Sequence, residues 1–156
     1  MSTIILDLDN CISDDGWRIN RIRWDCKNID EKYSYYHLSG FFDQCNNKHL
    51  FQDDSKSYVI LTSRPLVHLK STEDWLKMEG ITYDALIMRN PNDHRHSVDL
   101  KCEMLLWLPE HYGVPLKDIE MAYDDRPEIV AMYHQMGLPA KVVSIHNIPY
   151  HQQNES

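Results

Sequence analysis

Two aspartates separated by one residue, Asp7 and Asp9, follow the first apolar run of the chain. Other reactive side chains also stand just beyond apolar runs: Thr62-Ser63-Arg64-Pro65, Asp124-Asp125-Arg126-Pro127, and Lys101 near the start of a helix-like segment. Asp7, Asp9, Asp124 and Asp125 gathered in one place would repel one another unless a cation lay among them, and an all-oxygen ligand set favours hard Mg²⁺. Mg²⁺ together with lysine and arginine suits a phosphoryl group, whose charge must be neutralised before an anionic nucleophile approaches. A carboxylate can then attack phosphorus to form an aspartyl phosphate. A second acid two residues later can protonate the leaving oxygen and afterwards activate water. Asp7 and Asp9 have that spacing, because residues i and i+2 of an extended strand point to the same side.

These groups need a frame that brings them together. Short β-branched and aliphatic runs at 3–8, 57–62, 85–88, 119–123 and 141–145 predict buried strands. Between them, helical spacing is visible in three segments. Residues 66–79 carry Val67, Trp75, Leu76 and Met78 and stop at Gly80; residues 98–112 carry Met104, Leu105, Leu108 and Tyr112 on one face; residues 127–136 begin with Pro127 and end at Gly137. Alternating strands and helices predict an α/β fold, a three-layer sandwich around a parallel sheet of about five strands. Such sheets bind ligands beyond the carboxyl ends of their strands, where all four reactive segments lie. One domain is expected over residues 1–150, with 13–54 as a small cap inserted after strand one, and 151–156 as a polar tail.

The insert has no clear period. Its aromatics, Trp17, Trp24, Tyr33, Tyr35, Tyr36, Phe41 and Phe42, read either as a satellite core or as a lid over the site. Trp17-Arg18, Arg21, Arg23 and Trp24 interleave bases with rings, which suits stacking a nucleobase while holding its phosphate; alternatively Trp17, Arg21 and Trp24 form a packing stripe.

Composition excludes several classes. The 156 residues carry a net charge of −8, so a broad basic face for coating duplex DNA is not expected, and any nucleic-acid contact should be local. No apolar run approaches the roughly 20 residues of a membrane span, and neither membrane nor obligate protein partner is expected. Cys11, Cys26, Cys45 and Cys102 lack metal-ligand or disulfide-framework spacing, which fits reduced thiols in a cytoplasmic protein (host cytoplasm if viral). Cys11 has no phosphate loop around it and reads as a packed residue; His94 and His96 read as loop residues rather than zinc ligands.

The arrangement resembles the haloacid dehalogenase superfamily of phosphatases, with D-x-D at Asp7/Asp9, the hydroxyl motif at Thr62, the lysine motif at Lys101 and the acidic motif at Asp124/Asp125. That resemblance implies a Rossmann-like fold, Asp7 as nucleophile, and Asp9 as general acid/base whose main-chain carbonyl also ligates Mg²⁺. It further implies Thr62 and Lys101 on the transferring phosphate, and the Asp124/Asp125 pair completing the metal shell. A closer resemblance, carried by 61–64, Thr72, Trp75-Leu76, 86–89, Asp93-His94-Arg95, Lys101, Asp124-Asp125-Arg126, Val130, Met132 and Gly137, is to the 3′-phosphatase domain of bacteriophage polynucleotide kinase. The chain has no G-x-x-x-x-G-K-[ST] kinase motif. Two departures stand out: Asn10-Cys11 replaces the usual Gly-Thr, and Ser97-Val98 replace the acids that commonly precede the lysine. Asn10 tolerates the turn geometry that glycine usually supplies.

On this reading the substrate is a nucleotide or a nucleic-acid 3′-phosphate end, with Ser63, Arg64, Arg89, Arg95 and Arg126 as candidates for holding it. Each of these arginines has a plainer alternative as a salt-bridge partner. A nucleoside monophosphatase of the deoxyribonucleotidase type is the second reading, carried by 124–127. A non-catalytic binder of metal and nucleotide is the third, disfavoured because both carboxylates of the chemistry are present.

Overall fold

Side chains alternate across the first strand: Ile5 packs into one apolar layer while Ile4 and Leu6 pack into the other. The computed structural model describes residues 2–148. Strands β1 (Thr3–Leu6), β2 (Ser57–Pro65), β3 (Ala85–Arg89), β4 (Ile119–Asp124) and β5 (Ala140–Val142) form one sheet in the order β3-β2-β1-β4-β5. Every pairing is parallel. Both faces are covered, which is why the strands read as continuous apolar runs. One face buries Ile5, Val59 and Leu61 under α3 (Ser97–His111) and α4 (Pro127–Gln135), through Leu100, Met104, Leu108, Ile129 and Tyr133. The other buries Ile4, Leu6, Tyr58 and Ile60 under Trp75 and Leu76 of α2 (Leu69–Met78) and part of the insert. These are the expected three layers.

Helix ends follow local chemistry. Pro127 opens α4, whose first-turn amide would lack a partner anyway. Gly80 and Gly137 follow α2 and α4 with φ of 71° and 83°, conformations that a side chain resists. Strand β2 continues to Pro65 through a register shift after Leu61, so the Thr62-Ser63-Arg64 segment is still strand-like where it meets the site.

Within 13–54 lies a helix, α1 (Ile29–Leu38), that periodicity does not reveal. Asn28 caps it by accepting from the amides of Asp30 and Glu31 at 3.0 and 3.1 Å, and those two acids oppose the positive end of the dipole. Tyr36 and Tyr33 pack with Ile19 and Ile22 in a small satellite core. The polar tail expected at 151–156 lies outside the described residues.

Candidate active site

The chain lays β2 and β3 to one side of β1 and then crosses to β4 and β5, so the topological switch falls between β1 and β4. At that point the Asp7 amide donates to the Tyr123 carbonyl at 3.1 Å. Asp7, Asp124 and Asp125 are buried there, each offering a carboxylate oxygen, and these oxygens lie within 4.8 Å of one another. Lys101 reaches in from the second turn of α3, 2.9 Å from Asp7 Oδ1 and 2.5 Å from Asp124 Oδ2. Burial opposes its charge, but Asp124 and Asp7 outweigh that and raise its pKa well above the usual range.

With all three acids ionised, one ammonium among three carboxylates would leave the cluster two negative charges in excess. Burial and then repulsion from Asp7 push Asp124 up to about 6. Burial, Asp7 and Asp124 push Asp125 up as well. An all-oxygen donor set with this surplus fits a hard divalent cation. Asn10 orients Asp125: its Nδ2 donates to Asp125 Oδ2 at 3.1 Å. Its backbone takes φ of 60°, the glycine-like turn expected of it. Its Oδ1 accepts from the amides of Ile145 and His146 at 2.9 and 2.8 Å, and the His146 ring contacts Asp15 at 2.5 Å.

Asp9 belongs to a different group. Arg64 Nη2 and Arg18 Nη2 donate to its Oδ1 at 2.7 and 2.5 Å. Arg18 also donates from Nε and Nη2 to Asp43 at 2.8 and 2.7 Å, and from Nη1 to the Tyr36 carbonyl at 2.7 Å. Asp43 accepts further from Ser13 Oγ and Trp17 Nε1. Two guanidinium groups thus face two carboxylates. Burial alone would raise the Asp9 pKa, yet Arg64 and Arg18 overcome it and hold Asp9 well below the usual carboxylate range.

Both groups open onto one cleft of about 570 Å³, lined on the chemical side by Asp7, Asp9, Thr62, Ser63, Arg64, Lys101, Asp125 and Arg126. Helix α1 forms one wall, and residues 89–97 form another. Across the mouth, His94 Nε2 lies 3.1 Å from Asp30 Oδ1 of α1. Thr62 Oγ1 accepts from the Arg64 amide at 3.2 Å, and Ser63 Oγ donates to Ser97 Oγ at 2.9 Å.

The arginines proposed as substrate grips have protein partners. Arg64 is spent on Asp9, Thr72 and Ser13. Arg89 ties down the 90–96 loop through the carbonyls of Ser63, Asp93 and Arg95. Arg95 pairs with Asp93 and Glu103, and Arg126 with Glu128. Of the two readings of this part of the insert, packing fits better than nucleobase stacking: Trp17, Arg18, Arg21, Arg23 and Trp24 do not line the cleft. Arg21 lies over the Trp17 ring at 5.3 Å instead, as a packing pair, and Arg18 turns inward to Asp9. Cys11 is fully buried, and burial pushes its thiol up, away from reactivity.

Asp43 is a site residue that sequence reasoning does not single out, and Arg18, which the sequence offers as a nucleobase and phosphate contact, instead holds Asp9 and Asp43. Asn10 was read for its turn alone. For α1, the signal present in the sequence is Asn28 followed by Asp30-Glu31, a helix start. For Asp43 there is none, since its partner lies 25 positions away.

A five-stranded parallel sheet with these carboxylates at its switch point defines a haloacid dehalogenase superfamily phosphatase. The chain matches the family of the polynucleotide kinase PNKP phosphatase domain over residues 1–147, and it belongs to that family. It superposes on a haloacid dehalogenase-like hydrolase from Streptococcus pneumoniae with a TM-score of 0.68 and 13% identity, covering 91% of this chain and 84% of that one. It superposes on a chain of the Pnkp1/Rnl/Hen1 RNA repair complex with a TM-score of 0.67 and 24% identity. That match covers 94% of this chain but only 43% of the other, so this chain spans less than half the length of that relative. A structure of a dehalogenase matches with a TM-score of 0.61 and 9% identity, covering 98% of this chain and 89% of that one. A search of curated protein sequences finds no match. Among the described residues, no helix is long and apolar enough to cross a membrane.

Proposed function

We propose that this phosphatase domain hydrolyses phosphomonoesters with Mg²⁺ through an aspartyl phosphate on Asp7, acting on nucleotides or on the 3′-phosphate ends of nucleic acids. The carrying observation is that Asp7, Asp124 and Asp125 gather three buried carboxylates around one lysine, beside an Asp9 already neutralised by two arginines. Mg²⁺ held by those three carboxylates and by the Asp9 carbonyl would neutralise the phosphoryl oxygens. An Asp7 oxygen attacks phosphorus, forming the acyl phosphate as the bond to the leaving oxygen breaks, and Lys101 and Thr62 steady the transferring group. Asp9 supplies the proton to the leaving oxygen, then withdraws one from the water that cleaves the acyl phosphate. Arg18 and Arg64 act as positioning residues, fixing Asp9 toward the leaving group. Because they also keep Asp9 ionised, its proton for the first step must come with the substrate. A phosphomonoester monoanion, with a second pKa of about 6, carries one.

Membership of the PNKP phosphatase family supports the nucleic-acid substrate class, as does the occurrence of a structural relative in an RNA repair complex. The net charge of −8 favours short substrates over long ones. The test is phosphate release from nucleoside monophosphates and from 3′- or 5′-phosphorylated oligonucleotides, with Mg²⁺ and with chelator. Expected are Mg²⁺ dependence, preference for a 3′-phosphate, and loss of turnover in Asp7→Asn with the fold retained. Turnover that survives chelation, or an active Asp7→Asn, overturns the reading.

A further inference from the structure

Asp15 is a fully buried carboxylate that the chemistry above does not use. A phenol and an imidazole hold it: Tyr36 Oη donates to its Oδ2 at 2.5 Å, and His146 Nε2 lies 2.5 Å from its Oδ1. His146 Nδ1 accepts from the Ile148 amide at 3.2 Å, so the ring proton that faces Asp15 is the one on Nε2. Burying a carboxylate is costly unless a hydrogen-bonded network satisfies it, and a satisfied network fixes one arrangement of the groups around it.

Each partner leads to a different part of the site. Tyr36 receives Arg18 twice, its carbonyl accepting from Nη1 at 2.7 Å and its ring centroid lying 4.2 Å from the guanidinium carbon. Arg18 in turn holds Asp9 at 2.5 Å. The Asp15 carbonyl also accepts from the Arg18 amide at 3.1 Å, so Asp15 opens the 3₁₀ turn Gly16–Arg21 that carries this arginine. His146 leads the other way. Its amide donates to Asn10 Oδ1 at 2.8 Å and its carbonyl accepts from Asn10 Nδ2 at 3.0 Å, and the same Nδ2 donates to Asp125. The ring also packs closely on the backbone beside Asp15: a Cβ added at Gly16 would lie 3.1 Å from His146 Cδ2 and press the ring away.

We infer that Asp15 is a positioning residue at a branch point, holding Arg18 against Asp9 through Tyr36 and holding Asn10 against Asp125 through His146. One buried acid in the insert thereby sets both the proton donor and a carboxylate that would hold Mg²⁺. This rests on the phosphatase reading above. The two branches are separable, because one ends on leaving-group protonation and the other on the cation.

The experiment measures Mg²⁺ affinity by calorimetry without substrate, and kcat/KM for 3′-AMP and p-nitrophenyl phosphate at saturating Mg²⁺. It uses wild type, His146→Phe, Gly16→Ala, Tyr36→Phe and Asp15→Asn, with folding checked by circular dichroism. His146→Phe keeps the shape of the ring and removes Nε2; Mg²⁺ should bind about tenfold more weakly, as when a group that orients a metal ligand is lost. Gly16→Ala should act in the same direction by about threefold. Tyr36→Phe removes one oxygen and should leave Mg²⁺ affinity within about twofold, while 3′-AMP, whose alkoxide leaving group needs a proton, loses about tenfold more than p-nitrophenyl phosphate. Asp15→Asn should show both defects. Wild-type Mg²⁺ affinity in folded His146→Phe and Gly16→Ala, or equal losses on the two substrates in Tyr36→Phe, would overturn the branch point. So would a lowered melting temperature as the sole defect, or a failure of all four variants to fold, since Asp15 would then be scaffold alone. Wild-type protein that binds Mg²⁺ yet releases phosphate from neither substrate would instead sink the phosphatase reading, leaving the Mg²⁺ branch to stand or fall on calorimetry.

Discussion

The two carboxylate groups at the head of the sheet are adjacent yet electrostatically opposite. Around Asp9 and Asp43, two arginines match two acids and, against the effect of burial, hold Asp9 ionised. Around Asp7, Asp124 and Asp125, one lysine faces three acids, and burial pushes Asp124 and Asp125 toward holding protons. The first arrangement is complete as protein and serves to hold an acid in place. The second leaves its acids outnumbering the one lysine among them. Strain of this kind is tolerated where function requires it, and the neighbouring balanced group helps keep the fold intact around it.

The comparison can be broken from either side. The largest effect is expected from Asp7→Asn: turnover should fall by at least about 10⁴-fold, as for loss of other nucleophiles, while the denaturation midpoint changes little. A single-turnover phosphate assay beside urea titration measures both. Next is Arg18→Met, which leaves Asp9 and Asp43 buried with a single guanidinium. It should cost about 3–5 kcal/mol of stability by urea denaturation as well as activity, whereas a wild-type midpoint would show that Arg18 is dispensable to the balanced group.

A third prediction uses pH to sharpen the difference. The folded pKa of Asp124, about 6, lies above its ordinary 3.8. Its contribution in metal-free protein is thus fully present below about 3.8 and lost as pH rises through about 6. Metal-free protein should therefore lose melting temperature across that window, and added Mg²⁺ should restore it, increasingly so at higher pH, because the cation needs the deprotonated acids. A melting temperature insensitive to Mg²⁺ at pH 7 would count against the cluster as a cation site. Asp9 behaves in the opposite sense: its lowered pKa gives stability that persists above the ordinary carboxylate range and is lost only in stronger acid. The smallest effect on stability is expected from Asp125→Asn, which removes one of the repelling carboxylates and should stabilise metal-free protein by about 1 kcal/mol, although Mg²⁺-dependent turnover should be lost.

Much of the frame is legible because buried parallel strands are written as unbroken apolar runs, and three of the five runs lead directly into site residues. Strand β1 delivers Asp7, β4 delivers Asp124, and Lys101 sits on the inward face of an amphipathic helix. Residue type alone could not say what each arginine does, since a guanidinium binds phosphate and carboxylate with the same fork. Arg64 stands inside a motif and reads as a substrate grip, yet its fork is occupied by Asp9. Arg18 stands in an aperiodic stretch between Trp17 and Ile19, and its importance arises only when residue 43 folds back onto it. Such a pairing is set by tertiary closure of the insert, which leaves no local pattern to read.

The tie between Asn10 and the segment at 145–146 bears on biogenesis. The hydrogen bonds that steady the loop after β1 span 135 and 136 positions, so a nascent chain exposes its D-x-D segment early and fastens it last. At about 5–20 residues per second, ribosomal synthesis leaves an interval on the order of ten seconds between the two. During that interval the acidic loop lacks its far-end clamp, which forms only once residues 145 and 146 have been synthesised.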